Sequence, residues 1–228
     1  MEEFIVKNIT LTDEIKNRYD FISKFVNGFA AVQLDGKWGF IDEKGNEICP
    51  IKYDMTYRGN IIDKIHDIRY FHESVATVAL PLSEIICGKN KYETLRYGYI
   101  NTKGEEVCPC IYLQAFDFHN GRAYVIDEDG KWWLINKEFQ KITCRGYDEI
   151  RVFYEGCAVV KLDDYYGFIT EDGKEMCEIK YSYMSCFNEY GYAQITIPGK
   201  KFDRTYWIDT RGKEYFLYFD SNKMEPLN

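Results

Sequence analysis

A phrase of about 34 residues is written five times along this chain, and its clearest copy is FVNGFAAVQLDGKWGFIDEKGNEICPIKYD, from Phe25 to Asp54. A tandem unit of this period cannot bury its apolar face alone, so the copies must stack and share a continuous core. Architecture follows from that more readily than chemistry does.

The columns of the repeat specify its strands. Phe-x-x-Gly opens the copies at Phe25/Gly28, Phe118/Gly121 and Phe153/Gly156, with looser versions at Phe71/Ser74 and Phe187/Gly191. At alternate positions after it come Ala30, Ala76, Ala123, Ala158 and Ala193, then Val32, Val78, Val125, Val160 and Ile195. The positions between them vary freely. Period two with one uniform face predicts a half-buried strand. An alanine in all five copies predicts a bulky cover, an aromatic from the second strand, where Trp38, Tyr97, Trp132 and Tyr166 share one column and Phe40, Tyr99, Leu134, Phe168 and Trp207 the next but one. Gly39, Gly98 and Gly167 stand between those columns, where a missing side chain admits a close neighbour; Trp133 and Tyr206 replace that glycine, so the third and fifth copies must pack differently there.

The next segment reads DEKG, NTKG, NKEF, TEDG and DTRG. Asp or Asn first and Gly fourth suits a type I turn leading into a left-handed residue. Phe139 takes the glycine's place in the third copy, against the preference of a bulky residue for negative φ. A third strand then closes on Tyr53, Tyr112, Tyr147 or Tyr181, and six residues after each of the last three the next copy's Phe appears. Tyr19 stands at the same spacing from Phe25, so residues 1–20 are expected to be an orphan third strand capping the array. The tail from Lys213 keeps an apolar strand without the Tyr signature, as a terminal cap would.

At KWGFIDEKG the chain resembles the bacterial WG, or KWG, repeat family, named for that Trp-Gly pair. The resemblance spans roughly residues 19–216 and is closest in the first, second and fourth copies. It implies a β-rich repeat associated with interaction surfaces and no characteristic catalytic residues.

The expected fold is therefore all-β: five β-meander repeats in a curved array behind an N-terminal capping strand. If the linker from Asp148 to Val152 is a fourth extended segment, each unit resembles a small propeller blade, and the first strand then either closes a ring or caps an open solenoid. One domain spans 1–228, with repeats near 21–54, 71–112, 113–147, 148–181 and 182–220 and inserts near 55–70 and 81–96. In the second insert, Pro81 is expected to end the strand, and Gly88-Lys89-Asn90 to form the tip of an extended hairpin.

Composition narrows the function classes. No stretch approaches a membrane span. MEEFIVKNIT has neither a basic start nor an apolar run, which predicts a cytoplasmic protein if Met1 is the natural start. Eight cysteines are then expected as free thiols. Cys49, Cys108 and Cys177 share one register, but with no Cys-x-x-Cys pair they read as small buried hydrophobes rather than a thiolate ladder. Cys108 and Cys110, two apart, could pair loosely on one strand face. A net charge of −8 argues against nucleic acid and favours a basic protein partner. His72 and His119 occupy equivalent positions after the opening Phe and read as rim residues, not as a metal pair. No nucleophile elbow, phosphate loop or zinc-protease helix is present, and acidic pairs such as Asp163-Asp164 fall in turns as solvated charge. No catalytic, cofactor-binding or metal-binding residue is assigned.

The inserts are the remaining signal. Tyr53 and Tyr112 are 59 residues apart where 34 is the rule. If the strands alternate up and down, both inserts leave from one end of the second repeat, and insertions on one face often mark a binding face; neutral drift in tolerant loops is the competing account. Candidate partner-binding residues are Lys89, Asn90, Lys91, Tyr92 and Arg96, with His66 and His72 from the first insert and its border. The expected function is a non-enzymatic protein-binding module, in one version a cytoplasmic inhibitor or immunity protein for a basic partner. A glycan or cell-wall binder, from the Tyr and Trp density, is the alternative, and a hydrolase with its site at the loop end of the array is the second.

Overall fold

The computed structural model describes residues 5–54, 70–87, 90–199, 206–218 and 223–226, with the backbone alone described at 83–87, 90–93, 217–218 and 223–226. The chain resolves into two compact units, residues 1–128 and 129–228. Almost every element is a strand.

In the first unit, β1 (Val6–Lys7), helix α1 (Asp13–Lys16) and β2 (Phe21–Ile22) precede the first repeat. That repeat contributes β3 (Phe25–Val26), β4 (Phe29–Leu34) and β5 (Lys37–Asp42), and one antiparallel sheet joins β1, β2, β3, β4 and β5. The second repeat forms the sheet β6 (Val75–Cys87), β7 (Asn90–Asn101) and β8 (Glu106–Tyr112). After it come β9 (Gln114–Ala115) and β10 (Arg122–Ile126), paired antiparallel. The second unit holds β11 (Trp132–Asn136), then the sheet β12 (Glu149–Ile150), β13 (Cys157–Leu162) and β14 (Tyr165–Thr170). It ends with the five-stranded sheet β15 (Tyr183–Met184), β16 (Tyr192–Thr196), β17 (Tyr206–Asp209), β18 (Glu214–Tyr218) and β19 (Lys223–Pro226).

The Tyr-to-Phe linker is a fourth extended segment in the first, fourth and fifth repeats. β2, β12 and β15 each pair antiparallel with the first long strand of the following repeat, at Ile22↔Val32, Ile150↔Val160 and Met184↔Ile195. The capping strand expected at residues 1–20 is interrupted by α1, which Thr12 caps by accepting from the Ile15 amide. Ile15 then packs under Gly45, where an added Cβ would lie 2.5 Å from its Cδ1. Elsewhere a preceding repeat fills that place: a Cβ on Gly104 or Gly212 would collide with the carbonyl oxygen of Ile48 or Met176. The helix is thus a stand-in for a missing repeat.

The first strands of the third and fifth repeats, β10 and β16, alternate as expected of a half-buried strand, whereas those of the first, second and fourth are buried on both faces. Ala30, Val32 and Ile41 join one core cluster with Leu11, Tyr19 and Phe25 from the N-terminal segment. Ala31 and Phe40 join another with Phe71, Ala76, Val78 and Ile100 of the second repeat. Cys157, Val159 and Phe168 likewise pack with Ala193, Ile195 and Ile208. Ala31 and Val159, of the freely varying column, are buried because a following repeat packs over them; Tyr124 and Gln194 in the same column stay partly exposed.

The ring that closes each junction is not the Trp column. Trp38, Tyr97, Trp132 and Tyr166 remain partly exposed, and Trp38, Trp132 and Tyr166 bridge to Tyr53, Tyr147 and Tyr181 of their own third strands. The junction is made by the next aromatic column against the following Phe. Phe40 meets Phe71 at 5.0 Å, Tyr99 meets Phe118 at 5.2 Å and Phe168 meets Phe187 at 5.0 Å, all edge to face. Such pairs contribute about 0.5–1.5 kcal/mol beyond the area they bury.

The turns hold as predicted. Asp42 Oδ1 accepts from the amides of Lys44 and Asn46, and Asp209 Oδ1 from those of Arg211 and Lys213. The fourth residue is left-handed in each, including Phe139 at φ +60°. The opening Phe-x-x-Gly is itself a two-residue hairpin: Asn27-Gly28, Glu73-Ser74, Asn120-Gly121 and Glu155-Gly156 all have positive φ at both positions, the type I′ geometry. Phe187 is followed by one extra residue, and Asn188 caps a longer loop there by accepting from the amides of Tyr190 and Tyr192.

Third strands bend toward the WG glycine. A Cβ on Gly39 would lie 3.0 Å from Ile51 Cγ1, one on Gly98 would lie 2.5 Å from the Cys108 oxygen, and one on Gly167 would lie 3.0 Å from Ile179 Cγ1. In the third repeat the vacancy changes strand. Trp133 stands where the glycine should be, and Gly146 opposite it supplies the space, since a Cβ there would lie 2.9 Å from the indole.

Candidate interaction surface

The second repeat departs most from its siblings. β4 and β5 have six residues each, whereas β6 has 13 and β7 has 12. At about 3.4 Å per residue the seven added to the first strand carry the hairpin roughly 20 Å beyond the others. Pairing continues to Cys87↔Asn90; Gly88 and Lys89 of the expected Gly88-Lys89-Asn90 tip lie outside the described residues. Pro81 does not end the strand. It pairs with Leu95, and a bulge at Leu82 absorbs the shift before Ser83↔Thr94.

The candidate residues divide between two places. Asn90, Lys91 and Tyr92 lie on the distal half of β7, opposite Cys87, Ile86 and Ile85, and Arg96 sits nearer the base, opposite Leu80. Lys89 and His66 lie outside the described residues, as does most of the first insert. Asp54, the last described residue before that insert, hydrogen-bonds through its amide to Ala79 O beside the root of the hairpin, so the insert departs from the end at which the hairpin extends. His72 belongs elsewhere. It flanks the Glu73-Ser74 turn at the other end of β6, roughly 40 Å along the strand from the tip. Its ring lies edge to face on His119 at 5.4 Å, and its Nε2 is 3.5 Å from Oδ2 of Asp117, whose Oδ1 accepts from Thr77 Oγ1. The equivalence of the two histidines was legible in the sequence; their contact was not. Among the described residues no group of three or more His, Cys, Asp and Glu side chains is arranged to hold a metal ion.

The cysteine ladder is packed. Cys49 and Cys108 are buried, and burial pushes the Cys49 thiol up to about 11 and Cys177 up to about 12. Cys108 and Cys110 are separate free thiols, and Cys144 and Cys186 are exposed. A cleft of about 300 Å³ in the second unit is lined by Arg145, Asp163, Tyr165, Glu175 and Glu178 among others. Glu175 is already engaged there, by Tyr147 Oη at 2.9 Å and Arg145 Nε at 3.0 Å.

That last contact belongs to a recurrent device absent from the sequence reading. Tyr19, Tyr53, Tyr147 and Tyr181 donate to Glu47, Glu106, Glu175 and Glu214, each acid lying two residues past the turn of the following repeat, at 3.1, 3.4, 2.9 and 2.6 Å. Burial first, and the acceptor carboxylate as well, holds Tyr53, Tyr147 and Tyr181 well above the ordinary phenol range. The glutamate column was visible, but nothing local ties it to a tyrosine 28 or more residues earlier.

Also unremarked in the sequence were two columns of the third strand that change character in the second repeat. Where Lys52 and Lys180 stand, it has Ile111; where Asp54 and Asp148 stand, it has Leu113. Both are exposed, with Val107 and Leu82. Column-by-column comparison of polar character would have found them.

Among the described residues no helix is long and apolar enough to cross a membrane. The solved crystal structure of HIRA residues 644–1017 is similar at 7% identity with a TM-score of 0.30, over 67% of this chain; the chain spans about half (49%) of that one. No curated protein matches. The family profile described as "WG containing repeat" matches five times, at residues 15–38, 38–58, 97–132, 125–166 and 166–200. Those stretches carry the Tyr, WG and turn columns whose packing is set out above, and the chain belongs to this WG repeat family.

Proposed function

We propose that this chain is a non-enzymatic protein-binding module whose second repeat supplies specificity through the β6–β7 hairpin. The observation that supports it most is the hairpin's length: strands of 13 and 12 residues project from an array whose other hairpins are built of strands of four to six. A two-stranded ribbon is marginal alone in water, so its retention beside short siblings is best explained by a partner that contacts it. The net charge of −8 favours a basic partner, captured faster by long-range attraction. An inhibitor or immunity protein acting in the cytoplasm is the concrete version. Affinity purification from native cells, wild type beside a deletion of residues 82–95, tests the reading. A specific partner lost on deletion is expected; a partner kept by the deleted chain would overturn the role of the hairpin.

The glycan-binding reading draws on the partly exposed aromatic column Trp38, Tyr97, Trp132 and Tyr166, since ring faces suit sugar stacking. A glycan array without hits would retire it.

A further inference from the structure

The repeats supply an internal control for what a third strand needs. At two outward columns the first repeat has Lys52 and Asp54, of which Lys52 pairs with Glu106 at 3.0 Å and Asp54 with Lys37 at 2.8 Å. The fourth repeat has Lys180, paired with Glu214 at 3.1 Å. Folding is therefore compatible with charge at these positions. The second repeat nevertheless places Ile111 and Leu113 there, 54% and 37% exposed, in line with Val107 at 37% and exposed Pro109 on alternate residues of β8 and its continuation. Tyr112 between them is buried and pairs with Tyr97 at the root of the β6–β7 hairpin, where Leu82 at the bulge is 62% exposed. Apolar side chains in line along a strand, in the one repeat that also carries the long hairpin, form a contiguous strip and not scattered surface hydrophobes.

Charge selects the occupant. Glu105 stands exposed at one end of the strip, beside Glu106, which Lys52 and Tyr53 already engage. At the other, the Leu113 amide donates to Ile126 O, which brings Asp127 alongside. Asp127 occupies the column that holds Leu34, Leu80 and Leu162 in other repeats, so acid replaces leucine there as leucine replaces acid at Leu113.

We propose that this strip is the docking track for an apolar segment of the partner flanked at both ends by Lys or Arg. The proposal rests on the protein-binding reading and deepens it. Apolar contacts would carry the affinity and the terminal acids the register and direction.

The test is a displayed library of random 12-residue peptides panned against the full chain, with I111K/L113D as the counter-target. That double variant writes the first repeat's own residues into the second; far-UV circular dichroism and a thermal midpoint matching wild type verify its fold. Enriched peptides should carry apolar residues between basic flanks and bind I111K/L113D at least about tenfold more weakly, the loss of one buried aliphatic contact. Peptides that bind wild type and I111K/L113D equally, peptides without basic flanks, or no enrichment would each overturn the track. Peptides indifferent to I111K/L113D but lost on deletion of residues 82–95 would overturn it while leaving the hairpin reading intact.

Discussion

Gly146 is the position where the stacking rule can be tested quantitatively. In the other well-formed copies the glycine sits on the second strand and the third strand bends over it; in the third repeat Trp133 fills that place and Gly146 yields. A Cβ at residue 146 would lie 2.7 Å from Lys131 Cβ and 2.9 Å from Cε2 and Nε1 of Trp133. Both distances are below ordinary contact, and the indole is rigid and held by Lys141, whose Nζ is 3.6 Å from its ring centroid. Gly146→Ala should cost about 2 kcal/mol, within the range for overpacking a tight site. Trp133→Gly alone should also cost about 2 kcal/mol, roughly half the full Trp truncation because the ring is only partly buried. In the first repeat Gly39 coexists with Lys37 and Lys52 at the positions of Lys131 and Gly146, so the double variant has a packing solution already present in the molecule. It should cost about 2–3 kcal/mol instead of about 4, a coupling of at least about 1 kcal/mol. Urea unfolding followed by far-UV circular dichroism reads this, a loss of about 2 kcal/mol moving the midpoint by about 1 M. Additivity within about 0.5 kcal/mol would refute the exchange of glycine between strands.

Three further outcomes follow from the same packing. The raised tyrosines bind their protons more tightly folded than unfolded, so their contribution is complete below the unfolded phenol value of about 10 and is lost as pH rises beyond it; urea midpoints should fall from about pH 10 upward, less steeply in Y53F/Y147F/Y181F, and a flat wild-type profile above about pH 10 would contradict the ladder. Thr143 holds the cysteine column in the third repeat with its Oγ1 buried and without a hydrogen-bond partner, so Thr143→Cys should raise stability by about 1 kcal/mol in the same assay. Phe139 is held at φ +60°, and Phe139→Gly should gain about 1 kcal/mol by relieving a left-handed conformation; a loss would mean that the ring's packing outweighs the strain.

Much of the fold was legible because the chain repeats. Five aligned copies separated the alternating strand positions, the turn with its left-handed fourth residue, and the glycine that admits a close neighbour. Each depends on residues adjacent in sequence, so local sterics were enough. The same columns did not identify the ring that closes each junction, and the half-buried first strand they predicted holds in the third and fifth repeats but not in the first, second and fourth, because neither the free variation at Ala31, Thr77 and Val159 nor the constancy of Ala30 says what lies across a sheet. The candidate hairpin was read correctly as an extension, but Pro81 was expected to end its first strand and does not, since a proline is compatible with a strand when a bulge takes up the lost pairing. His72 was grouped with the tip by proximity in sequence, and strand length carried it away.

What the sequence determined by itself was the unit: its strands, its turns, its stacking period and its membership of a repeat family. Only the tertiary structure decided which ring meets which across a junction, that a short helix substitutes for a missing copy, that Tyr19, Tyr53, Tyr147 and Tyr181 each find a glutamate in the following repeat, and that Ile111 and Leu113 lie exposed on one strand face of an acidic molecule. The division has a physical cause. Local backbone preferences act within a few residues, whereas burial and charge pairing are properties of neighbours that the chain brings together only by folding.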